Sequence, residues 1–505
     1  MHLIPSAPGT TPSYFCTWAT QNAYGRLKHA EPENPAHFFG SKGARLARDA
    51  MNEAHLLEWM EQHPLIRQDL WLLLDDGWDV PYTRPRSRFG SGLPFHVYGS
   101  LEPDEARFPS FGGTPAERLR QLNDAAKQAG WKGIGLWACA HNAAKSRKGF
   151  FAADSPEMEA YYRTRAQWCA QAGIEYWKVD WGHHSNSAAY RRLLTRVAGE
   201  AAPGLIVEHS RGCGPFNGVN RNGRYADEDT LAGALELMPF SEILRSYDVS
   251  VPLSSTTTLD RVAELLPHSG GCLLNCEDEP VIGAALGCAL GVMRARLPGC
   301  GSPNLFFNGA NLDETARAVR WQRVAPAFSG GELLCSRQIL TDDHRYIADD
   351  TWEKDKVGHV IPQRAPAVLA RNLPLPRVAC EGEPPFVLAS RNPNGAVTVA
   401  ALGRRGAQNG VFFPLADVCL ALPETPEFLG VFGKFRSLSL RLPGSFEGRI
   451  YAQDMLGDEA ADVTESVCAE GNLLRFPGEL LERVGLASVT PGDGSAPGAV
   501  IRLGG

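Results

Sequence analysis

The sequence predicts a (β/α)8 barrel followed by a C-terminal antiparallel β-sandwich. Three observations carry that reading. Strand and helix signals alternate from about residue 13 to residue 308, which implies a parallel sheet. Eight strand candidates fall in that stretch, as many as a closed barrel needs. Beyond about residue 333 the pattern becomes short strands between turn signals. The expected division is residues 1–332 for the barrel and 333–505 for a transition segment plus the sandwich.

The elements follow in order. The first strand candidate is Tyr14 to Trp18. An amphipathic helix is expected with Leu46, Ala50, Ala54 and Leu57 on one face. Leu70 to Leu74 is a continuous apolar run ending abruptly in Asp75-Asp76, which suits a strand buried on both faces. Residues 78 to 112 read as a long loop. Thr114-Pro115-Ala116-Glu117 opens a helix with a capping box and a proline in its first turn. Gly133 to Ala138 is the third strand, and Ser155-Pro156 opens a helix ending near Gly173. Ile174 to Val179 is the fourth strand and ends in Asp180.

Strands five to eight are Leu205–Val207 ending in Glu208, Ile243–Arg245 before Asp248, Cys272–Leu274 before Asn275, and Asn304–Phe307 before Asn308. The apolar run Val281 to Met293, with glycines every four residues, reads as a helix packed on the sheet. In the last third, Phe386–Ser390, Ala396–Ala400 and Arg436–Leu442 are strand candidates, and residues 330 to 382 read as a transition.

Composition narrows function by exclusion. Apolar residues make up 44% and charged residues 21%, so the chain can bury a large core. The 50 basic residues against 57 acidic ones lack the basic excess of a nucleic-acid binder. No apolar run reaches the ~20 residues of a membrane span, and the first residues carry no signal-peptide pattern. A cytoplasmic protein with reduced thiols is expected, and a homo-oligomer is left open. The twelve cysteines include no Cys-x-x-Cys pair, so a zinc site is not expected; no metal or other cofactor is expected. The acidic runs Asp227–Asp229 and Glu277–Glu279 read as solvated segments.

Asp75, Asp76, Asp180, Glu208 and Asp248 each fall at the carboxyl end of an expected strand. In a barrel those ends share one mouth. Lys178, two residues before Asp180, shares its side of the strand, and Arg245 lies three before Asp248. Carboxylate pairs beside aromatic rings are the apparatus of glycoside hydrolysis. Trp18, Trp78, Trp137, Trp177 and Trp181 supply rings near strand ends.

Four segments then resemble the melibiase superfamily, glycoside hydrolase families 27 and 36: Asp75-Asp76-Gly77-Trp78, Lys178-Val179-Asp180, Glu208 to Gly214, and Arg245 to Asp248. The resemblance spans roughly residues 12 to 330. It implies a retaining exo-glycosidase acting on α-galactosides or a related sugar, with Asp180 as nucleophile and Asp248 as acid/base. It further implies that Asp75 and Asp76 bind the 4- and 6-hydroxyls and that Lys178 contacts a ring hydroxyl. Glu208 and Arg245 would lie near the 2-hydroxyl, with Trp78 walling the pocket. Asp180 is followed by Trp181-Gly182, and Asp248 stands three residues after Arg245; both depart from the family 27 pattern. A raffinose-synthase-type transglycosylase and a non-catalytic carbohydrate-binding protein remain the alternatives.

Overall fold

The computed structural model describes residues 1–28, 47–82, 94–212, 215–217, 228–246, 255–296, 311–345, 360–407 and 410–504. Eight parallel strands run in chain order around a barrel. They are β1 (Ser13–Cys16), β2 (Leu70–Leu74), β3 (Ile134–Ala138), β4 (Tyr176–Val179), β5 (Ile206–Ser210), β6 (Ile243–Arg245), β7 (Leu273–Asn275) and β8 (Gly291–Val292). β8 pairs with β1, and a parallel bridge between Asn275 and Ala289 closes the remaining gap.

Alternation along the strands separates two cores. Tyr14, Cys16, Trp71, Leu73, Tyr176, Ile243 and Met293 pack inside the barrel. The outward residues Phe15, Leu72, Leu74, Leu136, Trp177, Val179 and Leu244 join the cluster under the helices.

Helix starts follow local chemistry. Thr114 and Glu117 form the expected capping box at the head of the helix Pro115–Gln128. Ser155 caps Pro156–Ala172, which ends at Gly173 in the left-handed conformation, φ 67°. One sequence expectation is corrected here. The helix expected across residues 46 to 57 is interrupted at residues 51 and 52, where Asn52 caps a new helix, Glu53–Trp59. The restart shifts the phase, so Leu56 and Trp59 are buried while Leu57 is 46% exposed; Leu46 lies outside the described residues.

Two barrel strands differ from expectation. β5 runs on through Ser210, so Glu208 lies inside the strand rather than at its end. The eighth place belongs to Gly291–Val292, and Asn304–Phe307 falls outside the described residues. The apolar run read as one helix divides into the helix Pro280–Leu286 and β8, with Gly287 turning the chain at φ 66°.

An eight-stranded and a five-stranded sheet follow the barrel. The larger sheet already includes Leu333–Cys335 and Val368–Arg371, so the expected transition region contributes strands of its own. Phe386–Arg391, Val397–Leu402 and Ser437–Arg441 match expected strands. Most pairs are antiparallel, with three parallel exceptions. One helix in this half, Gly478–Gly485, was not expected.

The helix Leu312–Trp321 joins the two halves. Arg317, fully buried, donates two hydrogen bonds to Asp454 at 3.0 and 3.1 Å, and Trp321 Nε1 donates to Thr398 Oγ1 at 2.9 Å. No described helix is long and apolar enough to cross a membrane.

Candidate active site at the barrel mouth

β2, β4 and β6 deliver most of the candidate residues. The apolar run of β2 drives Asp75 and Asp76 to its carboxyl end, where both are buried. Asp76 receives Arg48 Nε at 2.9 Å and Nη2 at 2.6 Å, a two-point pair that occupies both carboxyl oxygens. Burial still pushes the Asp76 carboxyl above its ordinary value, with Arg48 opposing it. Asp75 Oδ2 accepts from Lys178 Nζ at 3.1 Å and from the Cys16 thiol at 3.0 Å, while Oδ1 accepts the Asp76 amide.

Lys178 projects inward from β4. Its ammonium meets Asp75 and, at 2.6 Å, Glu277. Burial opposes its charge, but these anions hold it well above the ordinary lysine value. Asp180, just past β4, is different in kind: its side chain is 17% exposed, against 3–5% for Asp75, Asp76 and Lys178. Its Oδ1 accepts from Arg245 Nη2 at 3.1 Å and its Oδ2 from Trp137 Nε1 at 2.9 Å. Burial pushes the carboxyl up; the charges of Arg245 and Lys178 and the Trp137 hydrogen bond outweigh it and leave it below the usual carboxylate range.

Arg245 is fully enclosed on β6 and also donates to Ser210 Oγ at 2.9 Å. Glu208 lies deeper. It accepts from the hydroxyls of Tyr176 and Tyr14 at 2.9 and 3.2 Å and from Asn275 Nδ2 at 2.5 Å, and burial raises its carboxyl. Trp78 is fully buried, with its indole N–H on the Trp137 carbonyl at 2.9 Å, so it braces β3 and presents no surface to the mouth. Asp248 lies outside the described residues.

Three contributors escaped sequence reasoning. Glu277, two residues past β7, was read only as part of an acidic run, although its place just beyond a strand end was the available signal. Cys16 faces Asp75 from β1, and burial pushes its thiol well above the ordinary value. Arg48 precedes the helix Glu53–Trp59 and carried no motif. Beside Asp180, Trp181 packs on Trp137, Tyr98 and Phe95, and exposed His183 stacks on Phe150 at 4.9 Å. Among the described residues, no group of three or more histidine, cysteine or acidic side chains is placed to hold a metal ion.

The carboxyl-end mouth of the barrel thus holds interleaved carboxylates and buried cations beside partly exposed aromatic rings, groups that can hydrogen-bond and stack. No protein-family model matches the chain, and no curated protein matches it in sequence. Among solved structures, it is similar to a family GH27 β-L-arabinopyranosidase from Geobacillus stearothermophilus. That match has TM-score 0.40 and 13% identity, and covers 98% of this chain and 97% of that one. It is also similar to α-galactosidase I from Mortierella vinacea, at TM-score 0.39 and 12% identity, covering 98% of each chain. The catalytic domain of a GH30 xylanase from Talaromyces cellulolyticus matches at TM-score 0.35 and 10% identity, covering 99% and 98%.

Proposed function

We propose that the protein is a retaining exo-glycosidase acting on α-galactosides or a stereochemically related sugar. The observation that carries this reading is Asp180. It is a carboxylate that reaches solvent at the mouth while Arg245 and Trp137 hold it ionised. A nucleophile that must attack an anomeric carbon needs both properties.

Asp180 would form the glycosyl-enzyme bond. Asp248 would protonate the leaving oxygen and then take a proton from water, the roles implied by the motif at β6. Trp137 and Arg245 spread the charge on Asp180 over two donors, which fixes the direction of its free lone pairs. Asp75 and Lys178 supply an acceptor and a donor for ring hydroxyls. Asp76 can accept a hydroxyl only by sharing oxygens already bonded to Arg48. Trp181 and the Phe150–His183 stack offer faces to the leaving group.

The test is hydrolysis of an aryl α-galactoside, with NMR of the first anomer released. Release of α-galactose is expected. Asp180→Ala should lower kcat by roughly four orders of magnitude or more while the far-ultraviolet circular dichroism stays that of the parent. An active Asp180→Ala protein overturns the assignment. If the parent leaves α-galactosides untouched, aryl β-L-arabinopyranosides and α-N-acetylgalactosaminides are the next substrates, and inertness on all three removes the reading.

A further inference from the structure

Glu277 occupies a place in the barrel that the proposed roles do not account for. It is 1% exposed and sits between two buried cations. Its Oε1 accepts from Lys178 Nζ at 2.6 Å and from the Tyr14 hydroxyl at 3.0 Å, and its Oε2 lies 3.5 Å from Arg245 Nη1. Lys178 also donates to Asp75 at 3.1 Å and to Cys16 Sγ at 3.4 Å, and Arg245 turns Nη2 to Asp180 at 3.1 Å. The charges therefore alternate along one connected line: Asp75, Lys178, Glu277, Arg245, Asp180. Glu277 is the central anion, and among the described residues it is the one within 4 Å of both cations that serve the outer two carboxylates.

The adjacent strand β8 is shaped to admit it. A Cβ built on Gly291 of β8 would stand 2.9 Å from Glu277 Cγ and 2.8 Å from the Tyr14 hydroxyl oxygen. Any side chain at this position of β8 would displace both groups.

We propose that Glu277 is a positioning residue, which holds Lys178 and Arg245 in the orientations that present Asp75 and Asp180 to the substrate and keeps Asp180 basic enough to attack. The inference rests on the reading of Asp180 as nucleophile. Two full cations facing Asp180 without an intervening anion would lower its proton affinity and its nucleophilicity together. Among the described residues, the groups facing Asp180 are Trp137 from β3 and Cys139 just past it, Lys178 from β4, Arg245 from β6, Arg191 from the helix Ala188–Ala201 and Asp76 beyond β2. Among the described residues, those facing Glu277 are Tyr14 and Cys16 from β1, Tyr176 and Lys178 from β4, Glu208 from β5, Arg245 and the adjacent Asp278. Of all these, only Glu277 lies directly between Lys178 and Arg245.

The experiment is a carbon-13 NMR titration of aspartate carboxyls in the whole protein, with Asp180→Asn identifying the Asp180 resonance, alongside pH profiles of kcat/KM. In Glu277→Gln, the Asp180 titration should move down by about half to one pH unit. The acid limb of the rate profile should move with it, and kcat should fall by roughly tenfold or more with KM little changed. A role confined to stability would lower the unfolding midpoint and leave both the titration and the limb in place, which overturns the proposal. The titration does not need turnover. A shifted resonance in a protein inert toward every sugar therefore overturns the glycosidase reading and keeps the coupling of Glu277 to Asp180. If Glu277→Gln fails to fold, Gly291→Ala displaces Glu277 with its charge intact; an unchanged kcat in that variant overturns the proposal.

Discussion

Asp79 shows at the residue scale what a buried carboxyl does when no cation among the described residues pairs with it. It is 3% exposed, its Oδ2 accepts the Leu101 amide at 3.0 Å, and Oδ1 has no hydrogen-bond partner among the described residues. Burial pushes it up to about 7, with the Leu101 amide opposing and Asp76 reinforcing the shift. Asp180 is held in the other direction, because its partners are Arg245 and Trp137. The consequence for stability has opposite signs. Between the ordinary carboxylate value of about 3.9 and about 7, the folded chain holds a proton on Asp79 that the unfolded chain releases, so stability falls as pH rises through that window. Asp79→Asn should therefore raise the urea midpoint at pH 8, by the equivalent of roughly 2–4 kcal/mol, and change it little at pH 4. Equal effects at both pH values would show that Asp79 does not titrate in this range. The Asp180 contribution runs the other way: it is present above about pH 4 and is lost as pH falls through the depressed folded value.

At the scale of the element, the turn after β4 decides where Asp180 points. The Ala140 amide donates to the Trp181 carbonyl at 2.8 Å, and the Asp180 amide donates to Ala138. A Cβ on Gly182 would stand 2.6–2.8 Å from backbone atoms of Ala140, so the two strand-end loops approach more closely than any side chain permits. Gly182→Ala should push the loop outward and lengthen the Asp180–Trp137 contact. The expected result is a loss of kcat of about tenfold or more with a smaller relative loss of stability, read from kinetics and a thermal melt of the same sample. Helix starts were legible because a cap is local chemistry: Thr114 with Glu117, and Ser155 with Pro156, need only their own neighbours. The length of β5 was not legible. A strand ends where its neighbour stops pairing, and Ser210 still pairs with Arg245 of β6. That pairing carried Glu208 from the expected rim into the barrel interior.

At the scale of the whole molecule, buried arginines tie the barrel to the sandwich. Arg317 and Asp454 are 0% and 1% exposed and bond at two points; Arg320 donates to the Leu456 carbonyl at 2.6 Å, and Arg371 reaches back to the Leu286 carbonyl at 2.6 Å. Removing one member of a buried ion pair leaves its partner charged in an apolar setting, at a cost of about 3–5 kcal/mol. Arg317→Met should lose about that much stability, and the double change Arg317→Met with Asp454→Leu should recover part of it. Urea denaturation of the single and double variants checks this. A single variant as stable as the parent would mean that the pair does not hold the two halves together.

The sequence by itself determined the alternation of strands and helices, the order of the first seven barrel strands, the change to β-structure in the last third and the places of Asp75, Asp76 and Asp180 just past strand ends. Periodicity, caps and the abrupt change from apolar to acidic residues are properties of neighbours along the chain. Only the tertiary structure decided which charges meet. Arg48 found Asp76 and Glu277 found Lys178, the one just past β7 and the other on β4, strands that are not neighbours in the barrel. Placing β8 at Gly291–Val292 likewise required the partner strand, since two residues carry no periodicity. The reason is physical. A barrel interior is shared by all eight strands, so the identity of each inward contact is set by register and closure, which no stretch of sequence contains.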